Sequence, residues 1–244
     1  MNNFLFCTSY IARYLKDRSL GRYTKWTKYY IPRARRFEAS HVFMIDDGTP
    51  LSRLRQLNLP IVNADEPLPE ALPGSAVIFR FSKRYGRSSL SVYPGWWRSF
   101  SFSSELAKTY GFPKIIHVES DAYVLSRRMA GALGRIDSGW NVAWCPRWQM
   151  PECSIQVIGQ DSISALNYYW QAGESFWFDS FKMAERILPF TRILKEFKGD
   201  RFGEYRRTVP ANVDFVCQAV APMKFDNYLS HGTIKGSRRA RRIS

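Results

Sequence analysis

Two carboxylates, Glu119 and Asp121, stand two residues apart in the stretch KIIHVESDAYVLS, residues 114–126. An apolar run of Ile115, Ile116 and Val118 leads into them, and a second apolar run, residues 122–125, follows at once. Residues two apart on a strand point to one side, so the pair is expected to face one spot while Ser120 points away. Acids held between two buried segments need compensation from a shared proton, a basic neighbour or a bound cation. Hard divalent cations prefer oxygen ligands, and Mg²⁺ sites commonly join one or two carboxylates to substrate phosphates. The chemistry open to this spacing is a metal–diphosphate site. The plainer alternative is a strand end whose acids pair with arginines.

Other chemistry-bearing residues fall at predicted element ends. A strand over 4–11 ends in Thr8, Ser9 and Tyr10, and in an open α/β sheet the carboxyl edge is where ligands bind. A strand over 41–45 runs into Asp46-Asp47-Gly48-Thr49-Pro50, a turn whose acids can meet a ribose or base. A strand over 76–81 carries Arg80, and Lys83, Arg84 and Arg87 follow in a glycine-containing loop suited to a diphosphate or simply solvated. Arg98 lies in the first turns of a helix that starts at Pro94-Gly95 and runs to about residue 110, where free N–H groups favour anions. Glu152, with Asp161 and Asp214 as rivals, is the candidate proton acceptor downstream of the acidic pair.

The elements that must position these groups read as α/β. Tyr23, Trp26, Tyr29 and Tyr30 fall at helical spacing over 20–30, a packing stripe that Pro32 is expected to close. Residues 60–75 hold four prolines and read as loop. Helices are expected over 126–136, 162–171 and 178–188, and strands over 140–148 and 153–158. Residues 199–204 read as a polar loop, and 213–220 as a further apolar segment. Strands alternating with helices through residue 150 predict a mostly parallel central sheet flanked by helices.

The chain has 244 residues, 45% of them hydrophobic and 16% aromatic, which argues for a packed core and against disorder. No apolar run approaches the ~20 residues of a membrane helix, and the first residues lack the basic lead and cleavage site of a signal peptide. Cys7, Cys145, Cys153 and Cys217 are scattered without CxxC spacing, so buried reduced thiols are expected. The net charge of +15 implies an anionic partner: nucleic acid, phosphorylated substrate or lipid surface. The basic residues are spread along the chain with one dense cluster, and no nucleic-acid-binding motif is present, so nucleic acid is not the expected partner.

In this order the marks resemble a GT-A-type glycosyltransferase: a first strand ending in Cys-Thr-Ser, Asp-Asp-Gly-Thr at 46–49, Glu-X-Asp at 119–121 in place of Asp-X-Asp, and His231-Gly232 late in the chain. The resemblance spans about residues 3–233 and implies one catalytic domain over 1–234. Its nucleotide-binding half would be about 1–126 and its acceptor-side half about 127–234, with a basic tail at 235–244. It implies transfer of a sugar from a nucleotide diphosphate of UDP or GDP type to a hydroxyl of a glycan or lipid-linked acceptor, with Mn²⁺ or Mg²⁺ as cofactor. Thr8, Ser9 and Tyr10 would line the nucleoside pocket, and Asp46 and Asp47 would bind base or ribose. Asp121 and His231 would hold the metal, with Glu119 reaching the ribose or a metal-bound water. Arg80, Arg87 and Arg98 join this set from the residue reading as diphosphate or ribose contacts, and Glu152 as the base of an inverting reaction. Such an enzyme would work in the cytoplasm, with the tail touching the inner face of an anionic membrane. A sugar nucleotidyltransferase fits less well, because Cys7-Thr8-Ser9-Tyr10 lacks the glycine-rich basic loop expected there.

Overall fold

The structure is a computed structural model, and it describes residues 3–9, 18–89, 91–179, 183–205, 209–210 and 212–219. Its strands are β1 (Phe4–Ser9), β2 (His41–Asp46), β3 (Ile61–Asn63), β4 (Ala76–Arg80), β5 (Ile115–Val118), β6 (Tyr123–Val124), β7 (Trp140–Cys145), β8 (Met150–Ile158), β9 (Arg192–Leu194), β10 (Gly199–Asp200) and β11 (Phe215–Val216). Its helices are α1 (Arg18–Tyr30), α2 (Leu51–Leu54), α3 (Pro94–Tyr110), α4 (Arg127–Arg135), α5 (Ile163–Trp177) and α6 (Ala184–Ile187). A 3-10 helix, Ile31–Phe37, continues directly from α1.

Eight strands form one sheet in the order β3-β4-β2-β1-β5-β8-β7-β9, and β10-β11-β6 form a small second sheet. In the large sheet every pairing is parallel except the two made by β8. The expected mostly parallel α/β architecture is therefore the observed one. From β1 the chain moves outward through β2, then returns to place β5 on the other flank of β1. The strand order reverses between β1 and β5, and a crevice opens at the carboxyl ends of such a pair.

Alternate residues of β1 divide between two cores, as a period-two strand requires. Leu5 and Cys7 pack with Tyr23, Trp26 and Tyr30 of α1 and Met129 and Leu133 of α4. Phe4 and Phe6 pack with Trp97 and Phe100 of α3 and Leu166 of α5. The aromatic stripe of α1 also has polar tips that fasten the segment after β5. Trp26 Nε1 donates to the Val118 carbonyl at 3.0 Å, Tyr29 to that of Val124 at 2.8 Å and Tyr30 to that of Ala122 at 3.2 Å. The acidic turn is thus held from outside by one buried helix face.

Several expectations are corrected. The α-helix ends at Tyr30, ahead of Pro32 as expected, but the chain continues as a 3-10 helix, because the missing proline N–H costs nothing in that helix's first turn. The proline-rich loop contains β3, an edge strand, where neighbouring prolines are tolerated. Among the described residues of the segment expected as helix over 178–188, Ala184–Ile187 are helical, while α5 runs on to Trp177 through a kink at Gly173 (φ 62°). Residues 146–148 form the hairpin turn after β7, not strand. Glu119 and Asp121 lie just beyond β5 in a turn closed by Ala122 N donating to the Glu119 carbonyl at 2.8 Å. Strand alternation therefore does not apply there, and Ser120 faces the same cavity as its two neighbours.

Candidate active site

A cavity of about 430 Å³ lies at the carboxyl ends of β1 and β5, with Thr8, Glu119 and Asp121 on its wall. Glu119 Oε1 is the convergence point of the site. It accepts from Thr8 Oγ1 at 2.6 Å, from His117 Nε2 at 3.0 Å and from the Trp96 indole N–H. The protons in this network can be assigned. Trp140 Nε1 donates to Gln156 Oε1 at 2.7 Å, so the Gln156 amide N–H₂ faces the Cys153 carbonyl at 2.7 Å and His117 Nδ1 at 3.3 Å. Nε2–H of His117 is the donor toward Glu119. Burial alone pushes the Glu119 carboxyl up; the His117 ring and the hydrogen bonds from His117, Thr8 and Trp96 outweigh it and leave Glu119 below the usual glutamate range.

Asp121 is treated oppositely. Its Oδ2 is paired with the Arg22 guanidinium of α1, and its carbonyl accepts from Ala219 N at 2.8 Å. Burial pushes its carboxyl up, the Arg22 charge opposes this, and the Glu119 charge adds to it. Arg22 Nε is buried with no hydrogen-bond partner among the described residues, and the residue lines the cavity. Glu119 Oε2 and Asp121 Oδ1 are the oxygens not taken by these side-chain donors. An oxygen-only pair fits Mg²⁺ or Mn²⁺. Among the described residues no cluster of three His, Cys, Asp or Glu side chains is present.

The far wall is built by a bulge. Between Val142 and Ala143 the register of β8 jumps from Gln156 to Glu152, so residues 153–155 are extra. Bulges re-aim side chains beside sites, and this one delivers Cys153 and Ser154 to the cavity. Glu152 itself is fully buried, with Oε2 bound by Arg201 Nε at 2.6 Å and Oε1 by Ser154 Oγ at 2.6 Å. Burial pushes its carboxyl up despite the Arg201 charge. Arg201 also reaches Glu185 of α6 at 3.0 Å, and both Arg201 and Glu185 line the cavity. Gln218 lines it too, in the left-handed region (φ 58°).

The remaining sequence candidates divide. Arg87 lines the cavity, its guanidinium 4.7 Å from the centre of the Tyr93 ring. Asp46 is fully buried and clamps its own turn, accepting from Tyr23 OH at 2.7 Å and Thr49 N at 2.6 Å. Asp47 and Arg98 form a buried ion pair. Arg98 lies between the Phe81 and Tyr85 rings at 4.0 and 3.9 Å, and Asp47 also accepts from Gly86 N at 2.6 Å. Gly95 is required there, since a Cβ would collide with the Asp47 carboxylate. Arg80 donates to the Thr49 carbonyl at 2.6 Å. These four brace the carboxyl edge and do not line the cavity. Tyr10, His231 and the 235–244 tail lie outside the described residues, as does the side chain of Ser9. Rival Asp161 accepts from Gly139 N at 2.7 Å and rival Asp214 pairs with Arg128.

Arg22, His117, Glu185 and Arg201 are site residues that the sequence reading did not single out; the tandem Trp96-Trp97, readable as core or as a wall for a sugar ring, do line the cavity. Of the four, only His117 carried a local signal, standing two before Glu119 in the same strand pattern.

No protein-family model matches the chain, and no characterised protein matches it in sequence. Among solved structures it is similar to a glycosyltransferase involved in the glycosylation of the major capsid of PBCV-1, with 10% identity over 96% of this chain and 99% of that one (TM-score 0.48). It is similar to the galactosyltransferase LgtC in complex with donor and acceptor sugar analogues, with 9% identity over 99% of each chain (TM-score 0.47). It is also similar to HddC from Yersinia pseudotuberculosis, with 8% identity over 94% of this chain and 98% of that one (TM-score 0.46). Likenesses at this level do not define a family.

Proposed function

We propose that this chain is a GT-A-like glycosyltransferase that moves a sugar from a nucleotide diphosphate to a hydroxyl group. The observation that carries the reading is the acidic pair: Glu119 and Asp121 line one cavity at the strand-order reversal, bracketed by the Thr8 hydroxyl and the Arg22 guanidinium. Asp121 and Glu119 would hold Mg²⁺ or Mn²⁺, with His231 as a further ligand. The cation would act as a Lewis acid, offsetting the charge that builds on the departing diphosphate.

The chain's own residues do the rest. Thr8, Trp96 and His117 keep Glu119 ionised and fix its orientation. Of the cations lining the cavity, Arg22 and Arg87 would meet the phosphates. The Trp96 and Trp97 rings wall the cavity where a sugar would lie. In an inverting reaction a carboxylate takes the proton of the attacking hydroxyl. Glu185 is the cavity-lining carboxylate outside the acidic pair, so we assign the base role to it. Glu152 instead holds Arg201, which in turn orients Glu185.

Calorimetric titration with UDP, GDP and CDP, with Mn²⁺ and then with chelator, tests the donor site. One nucleotide should bind only with metal, and Asp121→Ala should abolish that binding. A folded protein that binds none of them would overturn the reading.

A further inference from the structure

Glu119 and Asp121 are held in unlike ways. Glu119 Oε1 takes donors from three elements: Thr8 of β1, His117 of β5 and Trp96 of α3. Thr8 and His117 are buried in the large sheet, and the Trp96 ring stacks on Phe100 with centres 4.7 Å apart, so this grip is fixed. The Asp121 carboxylate is instead paired with one long side chain, Arg22 of α1. The Arg22 side chain is 22% exposed against 10% for Asp121, which leaves it room to turn. Its Nε is buried with no hydrogen-bond partner among the described residues. The pairing therefore leaves one donor of the guanidinium fork unsatisfied, and an unsatisfied buried donor costs free energy.

Such a pair is suited to exchange. Two carboxylates facing one cavity need positive charge. Burial disfavours the Arg22 charge, and Asp121 first and Glu119 second more than offset it, so one guanidinium serves both acids. A divalent cation held by the same two acids would stand beside that guanidinium, and like charges repel. Arg22 and the cation therefore compete for Asp121. A diphosphate resolves the competition. Its oxygens accept from a guanidinium in bidentate fashion and would satisfy the donor that Asp121 leaves unpaired.

We propose, resting on the donor-site reading above, that Arg22 is an exchangeable counter-charge: it neutralises Asp121 until cation and nucleoside diphosphate enter together, and then turns from the carboxylate to the phosphates. The acidic pair is compensated at every stage, and a divalent cation by itself is a poor ligand. Arg22 thereby couples the two ligands, each favouring the binding of the other.

Titration of the full chain with Mn²⁺, read from the paramagnetic resonance signal of the free ion, tests this without turnover. Arg22→Gln should bind Mn²⁺ alone roughly tenfold more tightly than wild type, since the competing charge is gone. Arg87→Gln, on the same cavity wall, should change that affinity much less. With UDP, GDP or CDP present the order should reverse, Arg22→Gln binding the nucleotide with Mn²⁺ severalfold more weakly than wild type. Without metal Arg22→Gln should melt below wild type, and Mn²⁺ should raise its Tm by more than it raises that of wild type. Arg22→Lys keeps the charge and loses the fork, so it should fold and lie between the two, which gives a reading even if the glutamine variant does not fold. Mn²⁺ affinity in these variants equal to or weaker than that of wild type would overturn the exchange. If that happens while wild type still binds a nucleotide with Mn²⁺, the donor-site reading stands and the exchange alone falls. If neither wild type nor variants take up Mn²⁺ with any of the three nucleotides, the metal site falls and the exchange with it.

Discussion

Thr8, at the end of the central strand, donates its hydroxyl to Glu119 at 2.6 Å across the point where the strand order reverses. The bond joins the first strand to the acidic turn more than a hundred residues later. Thr8→Val keeps the shape and removes the donor. A hydrogen bond to a charged group is worth about 1.5–3 kcal/mol, so chemical denaturation should show a loss in that range. Thr8→Ser should restore most of it. A Thr8→Val protein as stable as wild type would show that Trp96 and His117 suffice to hold Glu119.

The Asp47–Arg98 pair carries a different expectation. Removing one partner of a buried pair leaves the other uncompensated, at a cost of about 3–5 kcal/mol. Arg98→Met should show such a loss, and Asp47→Asn/Arg98→Met should recover a good part of it. Because the pair braces the edge and does not line the cavity, nucleotide affinity in the folded double variant should stay near wild type. A large drop in affinity would give Arg98 the ligand role that the sequence suggested.

Asp46 sets a pH dependence. Burial pushes its carboxyl above the ordinary value of 3.8, against the pull of Thr49 and Tyr23. A carboxylate raised on folding binds its proton more tightly in the native state, so its ionisation costs stability at higher pH. As pH falls through the raised native value, wild type should gain stability relative to Asp46→Asn. The gain should level off below 3.8, where both states are protonated. Denaturation midpoints of the two proteins across that window give the sign directly. An opposite slope would mean that the hydrogen bonds outweigh burial.

Glu185 and Glu152 should separate by readout. Glu185→Gln should lower kcat by roughly a hundredfold or more, in line with general-base contributions, with thermal stability little changed. Glu152→Gln keeps a polar partner for Arg201 yet removes a buried charge, so its main effect should be on Tm. If Glu152→Gln abolishes turnover in a protein with wild-type Tm, the base is Glu152 as the sequence suggested.

The parallel sheet and the acidic pair were legible because each rests on a local pattern. Apolar runs ending in polar residues mark β1, β2, β4 and β5, and Glu119 and Asp121 stand two apart between two such runs. The brace formed by Asp46, Asp47 and Arg98 was legible in position but not in role. Nothing near Arg98 in the sequence announces that Phe81, Tyr85 and Asp47 will enclose it. Arg22 and Arg201 reach the cavity from a helix and a late loop, by contacts spanning 99 and 49 residues. Periodicity cannot report such pairings. The β8 bulge was hidden for a related reason: three extra residues appear only when the neighbouring strand fixes the register.

The four cysteines, all buried and reduced, make the protein its own probe of local opening. Burial holds the Cys7, Cys153 and Cys217 thiols far above the usual range and pushes Cys145 up to about 12. Since the thiolate is the reactive form, a thiol reagent should wait for each site to open. Cys217 follows a two-residue strand of the small sheet, whereas Cys7 lies in the middle of the large one. Labelling under native conditions should therefore proceed in order, Cys217 well before Cys7, with the gap between the two rates measuring how much more easily the small sheet lifts than the sheet beneath it.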